Sequence, residues 1–173
     1  MSRPALIVID LQNDYFPNGA FPLDATDATL AKVCDAIRRA RERGIPVVHV
    51  QHVADATRGI APFFNAGTLG VEIHPEVLRA APDAPVVVKH FADSFEQTRL
   101  HALLQELGVD ELLLCGMMTQ NGVTHTALSR QADAYRRVTV LGDACTTVSP
   151  MLHTIALHAL STRTSIATVE QAI

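Results

Sequence analysis

Short apolar runs rich in β-branched residues alternate with helical periods along the whole chain, and that alternation limits the folds open to it. The runs are "ALIVID" (5–10), "IPVVHVQHV" (45–53), "APVVVKH" (84–90), "VDELLLCG" (109–116), "RVTVLGD" (137–143) and "SIATV" (165–169). Several show no polar alternation, as expected of strands covered on both faces. Between them Leu30, Val33, Cys34 and Ile37, and again Leu100, Leu103, Leu104 and Leu107, keep the spacing of one helix face. Gly44 and Gly108 stand where those helices should stop. Further helices are expected over 122–135 and 150–161. Alternation of this kind predicts a mostly parallel sheet with helices on both faces, joined by right-handed crossovers.

The chain has 173 residues, 48% of them hydrophobic, enough for one well-buried core and too few for two comfortable domains. A single domain over 1–173 is therefore expected. The formal charge is −4, with Lys and Arg scattered rather than clustered, so there is no electrostatic footprint for nucleic acid or an anionic membrane. A small-molecule substrate or a protein is the expected partner. No run approaches the roughly 20 apolar residues of a membrane span, and "MSRPALIVIDLQ" lacks the pattern of a secretory signal; a cytoplasmic location is expected. Cys34, Cys115 and Cys145 form no CxxC pair and are expected as reduced thiols. The segment 54–83, Pro- and Gly-rich with little period, is long enough to suggest a lid or an oligomer contact.

Ligands of open α/β sheets bind beyond the carboxyl ends of the strands. The first strand runs into Asp10, the third into Lys89 and the fourth into a turn over Met117 to Gly122, so a carboxylate, an ammonium and a helix start are expected at one crevice. Each has an ordinary alternative. Asp10 could cap a turn, and Lys89 could lie with its stem on apolar surface. A buried lysine, however, needs a partner such as Asp10. Asn121-Gly122 resembles a hairpin turn, yet "VTHTALSRQADAY" continues with helical character, which points to a strand-to-helix elbow whose first amides favour negative charge. His125, one turn further on, either lines the site or is an ordinary helix histidine. Phe16, Phe63, Phe64 and Phe95 are candidate apolar walls, each equally at home in a core, with Phe63 and Phe64 as readily interface residues.

The histidines do not assemble a metal site. His49 and His52 are an odd number of residues apart on one strand and face opposite ways. His153 and His158 diverge on a helix, and no H-E-x-x-H occurs. No metal and no cofactor is expected.

"ALIVIDLQNDYF", "GTLGVEIHPEV", "VVVKHFADSFEQTRL" and "LLLCGMMTQNGVTHTA" followed by "VTVLGDACTT" resemble the isochorismatase-like cysteine hydrolase superfamily, which includes nicotinamidases and related amidases. The resemblance spans essentially the whole chain. It implies a Rossmann-like three-layer α/β/α fold with a six-stranded sheet, a homodimer or larger homo-oligomer, and an Asp, Lys, Cys triad. Asp10 matches the general base and Lys89 the lysine; Gly122 stands where the family carries its nucleophilic cysteine. A non-proline cis peptide in "GMMT" is also implied, with the Met118 and Gly122 amides forming the oxyanion hole. "HVQHVAD" departs from the metal-binding spacing of the nicotinamidase branch, and "GTLGVEIHPEV" looks more like the metal-free members.

Three functions are compatible with the glycine. The chain could be a hydrolase of amides or related C–N bonds whose thiol has been replaced. It could be a thiol-free vinyl ether hydrolase, as isochorismatases are, with Asp10 as general acid. It could be a catalytically silent binder or structural homo-oligomer that keeps only the fold.

Overall fold

The computed structural model describes residues 2–173. Six parallel strands form one sheet in the order β3-β2-β1-β4-β5-β6. They are β1 (Pro4–Ile9), β2 (Val47–His52), β3 (Val86–Lys89), β4 (Glu111–Met117), β5 (Arg137–Thr146) and β6 (Ser165–Ala167). The helices are α1 (Thr26–Glu42), α2 (Pro75–Ala80), α3 (Leu100–Glu106), α4 (Thr124–Ala127), α5 (Pro150–Leu160) and α6 (Val169–Ala172). The strands without polar alternation are the central pair: β4 is buried throughout, and β1 from Ala5 onward. Alternate residues of these strands feed two cores. Leu6, Val8, Leu113 and Cys115 meet Val33 and Ile37 of α1, Val77 of α2 and Val169 of α6. Ile7, Ile9, Leu112 and Leu114 meet Leu100 and Leu104 of α3, Ala127 of α4 and Leu160 of α5. Helices therefore cover both faces. Strand order reverses between β1 and β4, and in open α/β sheets the carboxyl ends at such a reversal are where ligands bind.

Three local expectations need correction. The helix expected over 122–135 is a π-turn over Thr119–Val123 followed by the single turn α4. Ser129 ends it: its hydroxyl accepts the Gln131 N–H at 3.3 Å, a local bond that competes with the helical ladder. The fifth strand runs on to Thr146 through a register shift opposite Leu114 and Gly116, so Cys145 lies inside β5 rather than beyond it. The edge strand β3 is not covered on both faces, since Val86 and Val88 are exposed while Val87 and Lys89 are buried. By contrast the glycine stops hold, with φ of +67° at both Gly44 and Gly108, and α5 starts on a Ser149 cap with proline in its first turn.

The 54–83 segment contains a 3-10 turn and α2 and is pinned to the loop after β1. Gln12, wholly buried, donates Nε2 to the carbonyls of His52 (2.8 Å) and Val71 (2.7 Å), and its Oε1 accepts the His52 N–H at 2.8 Å. Asp14 accepts the N–H groups of Phe64 (2.7 Å) and Ala20 (3.1 Å). Above them Tyr15 packs against Phe63 and Phe64, with ring centroids 5.4 and 4.6 Å away. Gln12→Leu removes three bonds and strands buried backbone groups. We expect a stability loss of about 2–4 kcal/mol, seen as a lower denaturant midpoint at unchanged slope.

Candidate functional site

Asp10 follows β1 with φ +55°, a left-handed conformation that aspartate adopts more readily than most side chains. The turn places its carboxylate at the strand ends, with only 3% of the residue exposed. Lys89 closes β3, two strands away, beside His52 in the β2–β3 register. Its long stem spans that gap: Nζ lies 3.0 Å from Asp10 Oδ2 and donates to the Ala92 carbonyl at 2.8 Å. Asp10 and Lys89 thus form a buried ion pair. The other carboxylate oxygen, Oδ1, is buried without a hydrogen-bond partner. Burial outweighs the neighbouring Lys89 charge and raises the Asp10 pKa to about 6.

The elbow after β4 lies against the ion pair. The Met117–Met118 peptide is cis. The turn is held by Asn121 N–H to the Met118 carbonyl (3.0 Å), by the Thr124 hydroxyl to the Thr119 carbonyl (2.6 Å), and by Thr119 Oγ1 against His153 Nδ1 (2.8 Å). Thr126 of α4 bonds to Ser94 through its hydroxyl (2.8 Å) and accepts the Ser94 N–H (3.0 Å), which ties the loop after Lys89 to the elbow. Gly122 is buried and does not have the positive φ that would demand glycine. A Cβ built on it points into the ion pair, 3.0 Å from Asp10 Oδ2, 3.3 Å from Lys89 Nζ and 3.3 Å from Ile9 Cγ2.

Asp10, Lys89 and Gly122 are therefore brought together, with Met118 in the same turn. The remaining candidates have partners of their own. His125 is exposed, with Nδ1 2.8 Å from the Asn121 carbonyl oxygen. Phe95 is a core residue, 1% exposed and stacked on Tyr135 at 6.1 Å. Phe16 packs on His74 at 4.4 Å, and Phe64 lies inside the aromatic group around Tyr15.

Several residues near the site gave no distinct signal in the sequence. Tyr15 is 2% exposed; burial first, then the Asp10 and Asp14 charges, push its hydroxyl pKa well up. His52 is held neutral, its pKa lowered to about 4 by burial and by the charges of Lys89 and His90. Tyr15 reaches the site because the turn after β1 settles there, and "LQNDY" carries it without a spacing that marks chemistry, whereas His52 is set beside Lys89 by the β2–β3 register. Buried, unpartnered polar atoms also occur on Gln120 and Thr147, in the stretches that follow β4 and β5. His49 is 1% exposed, with Nε2 3.2 Å from the Ala81 carbonyl oxygen, well separated in role from His52. Among the described residues no three His, Cys, Asp or Glu side chains gather as a metal site would require.

Comparison with known proteins identifies the family. The Isochorismatase domain family matches residues 4–171. The uncharacterized isochorismatase family protein YddQ of Bacillus subtilis is 42% identical over 145 residues, covering 84% of this chain and 78% of that protein. A protein of Arabidopsis thaliana named "Probable inactive nicotinamidase" is 30% identical over 165 residues, covering 87% and 84%. The crystal structure of an isochorismatase-like hydrolase from Alkaliphilus metalliredigens superposes with a TM-score of 0.88 at 28% identity, covering 99% of this chain and 97% of that one. With a whole-length family match laid over this six-stranded sheet, the chain belongs to the isochorismatase family of hydrolases.

Proposed function

We propose that the chain is a small-molecule hydrolase whose site is Asp10, Lys89 and the amides of Met118 and Gly122. Amides or related C–N compounds are its substrate class in the cysteine form, and Gly122 stands in for the nucleophile, which impairs this chain. One observation carries the reading: a side chain at 122 points at both members of the buried ion pair. A thiol there would give its proton to Asp10 and attack a carbonyl carbon beside the Lys89 ammonium. The developing oxyanion would meet the Met118 and Gly122 N–H groups, and the proton on Asp10 would pass to the leaving amine. The chain's own cysteines do not replace that thiol. Burial pushes Cys145 up to about 12 and Cys115 well above the ordinary thiol value, and Cys34, on α1, is raised by burial and by Glu76.

The test is hydrolysis of isochorismate, small primary amides and carbamates by this chain and by Gly122→Cys side by side. Cleavage of unactivated amides or carbamates that appears only with the cysteine supports the reading. Absence of turnover in both forms, with ligand binding retained, makes the protein a silent binder.

A second reading is favoured by the raised pKa of Asp10. A carboxyl that titrates near 6 is protonated often enough to act as general acid on a vinyl ether carbon. Isochorismate cleavage by the unaltered chain is then expected to fall as pH rises through about 6, because the acid form is lost. A rate that rises over that range overturns this reading.

A further inference from the structure

We propose that Gly122 admits a solvent nucleophile between Asp10 and Lys89, so that the chain hydrolyses activated acyl compounds, esters and carbamates with good leaving groups, without a covalent enzyme intermediate. The proposal rests on the assignment of position 122 made above and adds an activity to it. The backbone at Gly122 does not require glycine, so the missing side chain matters for what enters in its place. That direction ends on a carboxylate oxygen, an ammonium and one methyl group. A buried water needs two to four polar partners, and these atoms supply an acceptor and a donor. Asp10 keeps unused acceptor capacity in Oδ1, which has no partner in the folded chain. Lys89 directs two of its three protons at Asp10 and at the Ala92 carbonyl, which leaves one for an incoming oxygen.

The step balances without any added reactant. As the water oxygen bonds to the carbonyl carbon, one of its protons passes to Asp10 and the C=O π pair moves onto oxygen, facing the Met118 and Gly122 amides. Collapse of the adduct breaks the C–O or C–N bond to the leaving group, which takes the proton from Asp10. The products are the acid and the alcohol or amine. A carboxylate of pKa about 6 is a mild base working near neutral pH, hence the restriction to activated acyl groups.

The pH dependence has a definite sign. Asp10 must be ionised, so the rate rises with pH through about 6. The groups around it are Lys89 from β3 and Tyr15 from the turn after β1, with Asp14 beyond Tyr15 and His52 beyond Lys89 at the end of β2. Tyr15 stays protonated and His52 stays neutral around that pH, so the inflection reports Asp10 rather than either of them.

The test follows hydrolysis of para-nitrophenyl acetate and para-nitrophenyl carbamate by the unaltered chain, Gly122→Ala, Asp10→Asn and Gly122→Cys. Melting curves check each fold, and intact-protein mass spectrometry follows rapid quenching. The unaltered chain is expected to turn over with no mass adduct and with the rising pH profile. Gly122→Ala, whose methyl occupies the solvent direction, and Asp10→Asn are each expected to lose about 10²-fold or more. Gly122→Cys is expected to carry an acyl adduct. A Gly122→Ala variant that melts like its parent and reacts as fast overturns the proposal. So does a flat pH profile of the unaltered chain or full activity of Asp10→Asn, and these two readouts decide the matter if Gly122→Ala does not fold. An inert parent beside an acylated Gly122→Cys sinks the solvent route and leaves the site assignment standing. A Gly122→Cys form that neither acylates nor turns over sinks both.

Discussion

Gly122→Cys is expected to raise amide or carbamate turnover by about 10³-fold or more over the parent, because a covalent step replaces a solvent one. The substitution is sterically modest. The built Cβ is 3.0 Å from Asp10 Oδ2 and 3.3 Å from both Lys89 Nζ and Ile9 Cγ2, so the ends of side chains, not backbone, must give by a few tenths of an ångström. We expect a stability loss within about 1–3 kcal/mol, the usual range for a modestly overpacked core. The chemical consequence is larger. An ammonium beside the sulfur favours thiolate, and Asp10 can take the thiol proton, so the thiol should react with iodoacetamide well below the ordinary midpoint of about 8.5. The rate-against-pH curve for alkylation measures this directly. If the introduced thiol alkylates no faster than an exposed cysteine, position 122 is not the nucleophile position, and the reading of the site falls with it.

The parts of the structure that were legible in the sequence are those set by local pattern. "ALIVI" and "ELLLC" have no polar alternation and occupy the two central strands. Gly44 and Gly108 adopt the left-handed conformation that ends their helices. Asp10 and Lys89 could be paired in advance because strand ends in a parallel sheet point to one side, and a buried lysine needs a countercharge. Other features depend on contacts between distant segments. Ser129 ends the helix after the elbow by one hydroxyl bond, which no periodicity records. Phe95 and Phe16 are aromatic in either role, and only packing sends Phe95 into the core against Tyr135. Gln12 and Asp14 matter because the backbones of Val71 and Phe64 return to them over more than forty residues, a closure with no short-range signal. Tyr15 packs on Phe64 through the same closure, while His52 stands beside Lys89 through the β2–β3 register, which depends on strand order rather than on any short-range signal.

Lys89→Met is expected to cost about 3–5 kcal/mol of stability near neutral pH, the range for removing one partner of a buried ion pair. Methionine matches the stem, so the loss is electrostatic rather than a packing void. Asp10 is 3% exposed, its Oδ1 already lacks a partner, and the substitution strips Oδ2 of the ammonium 3.0 Å away. Loss of the charge that lowers it moves the Asp10 pKa above its present value of about 6, further from the ordinary 3.8 of an unfolded chain. A carboxyl whose folded pKa is raised holds its proton more tightly when folded. Its contribution is therefore most favourable below 3.8 and is lost as pH rises through the folded value. The gap between parent and variant should accordingly be small in acid and widen toward neutral and alkaline pH. Denaturant midpoints measured across that range give the curve. Asp10→Asn in the Lys89→Met background removes the stranded charge and should recover much of the loss, a non-additivity that only a direct pair produces. A gap that does not vary with pH, or two losses that simply add, would mean that Lys89 supports the fold through its stem and the Ala92 carbonyl, with Asp10 tolerated by some other neighbour.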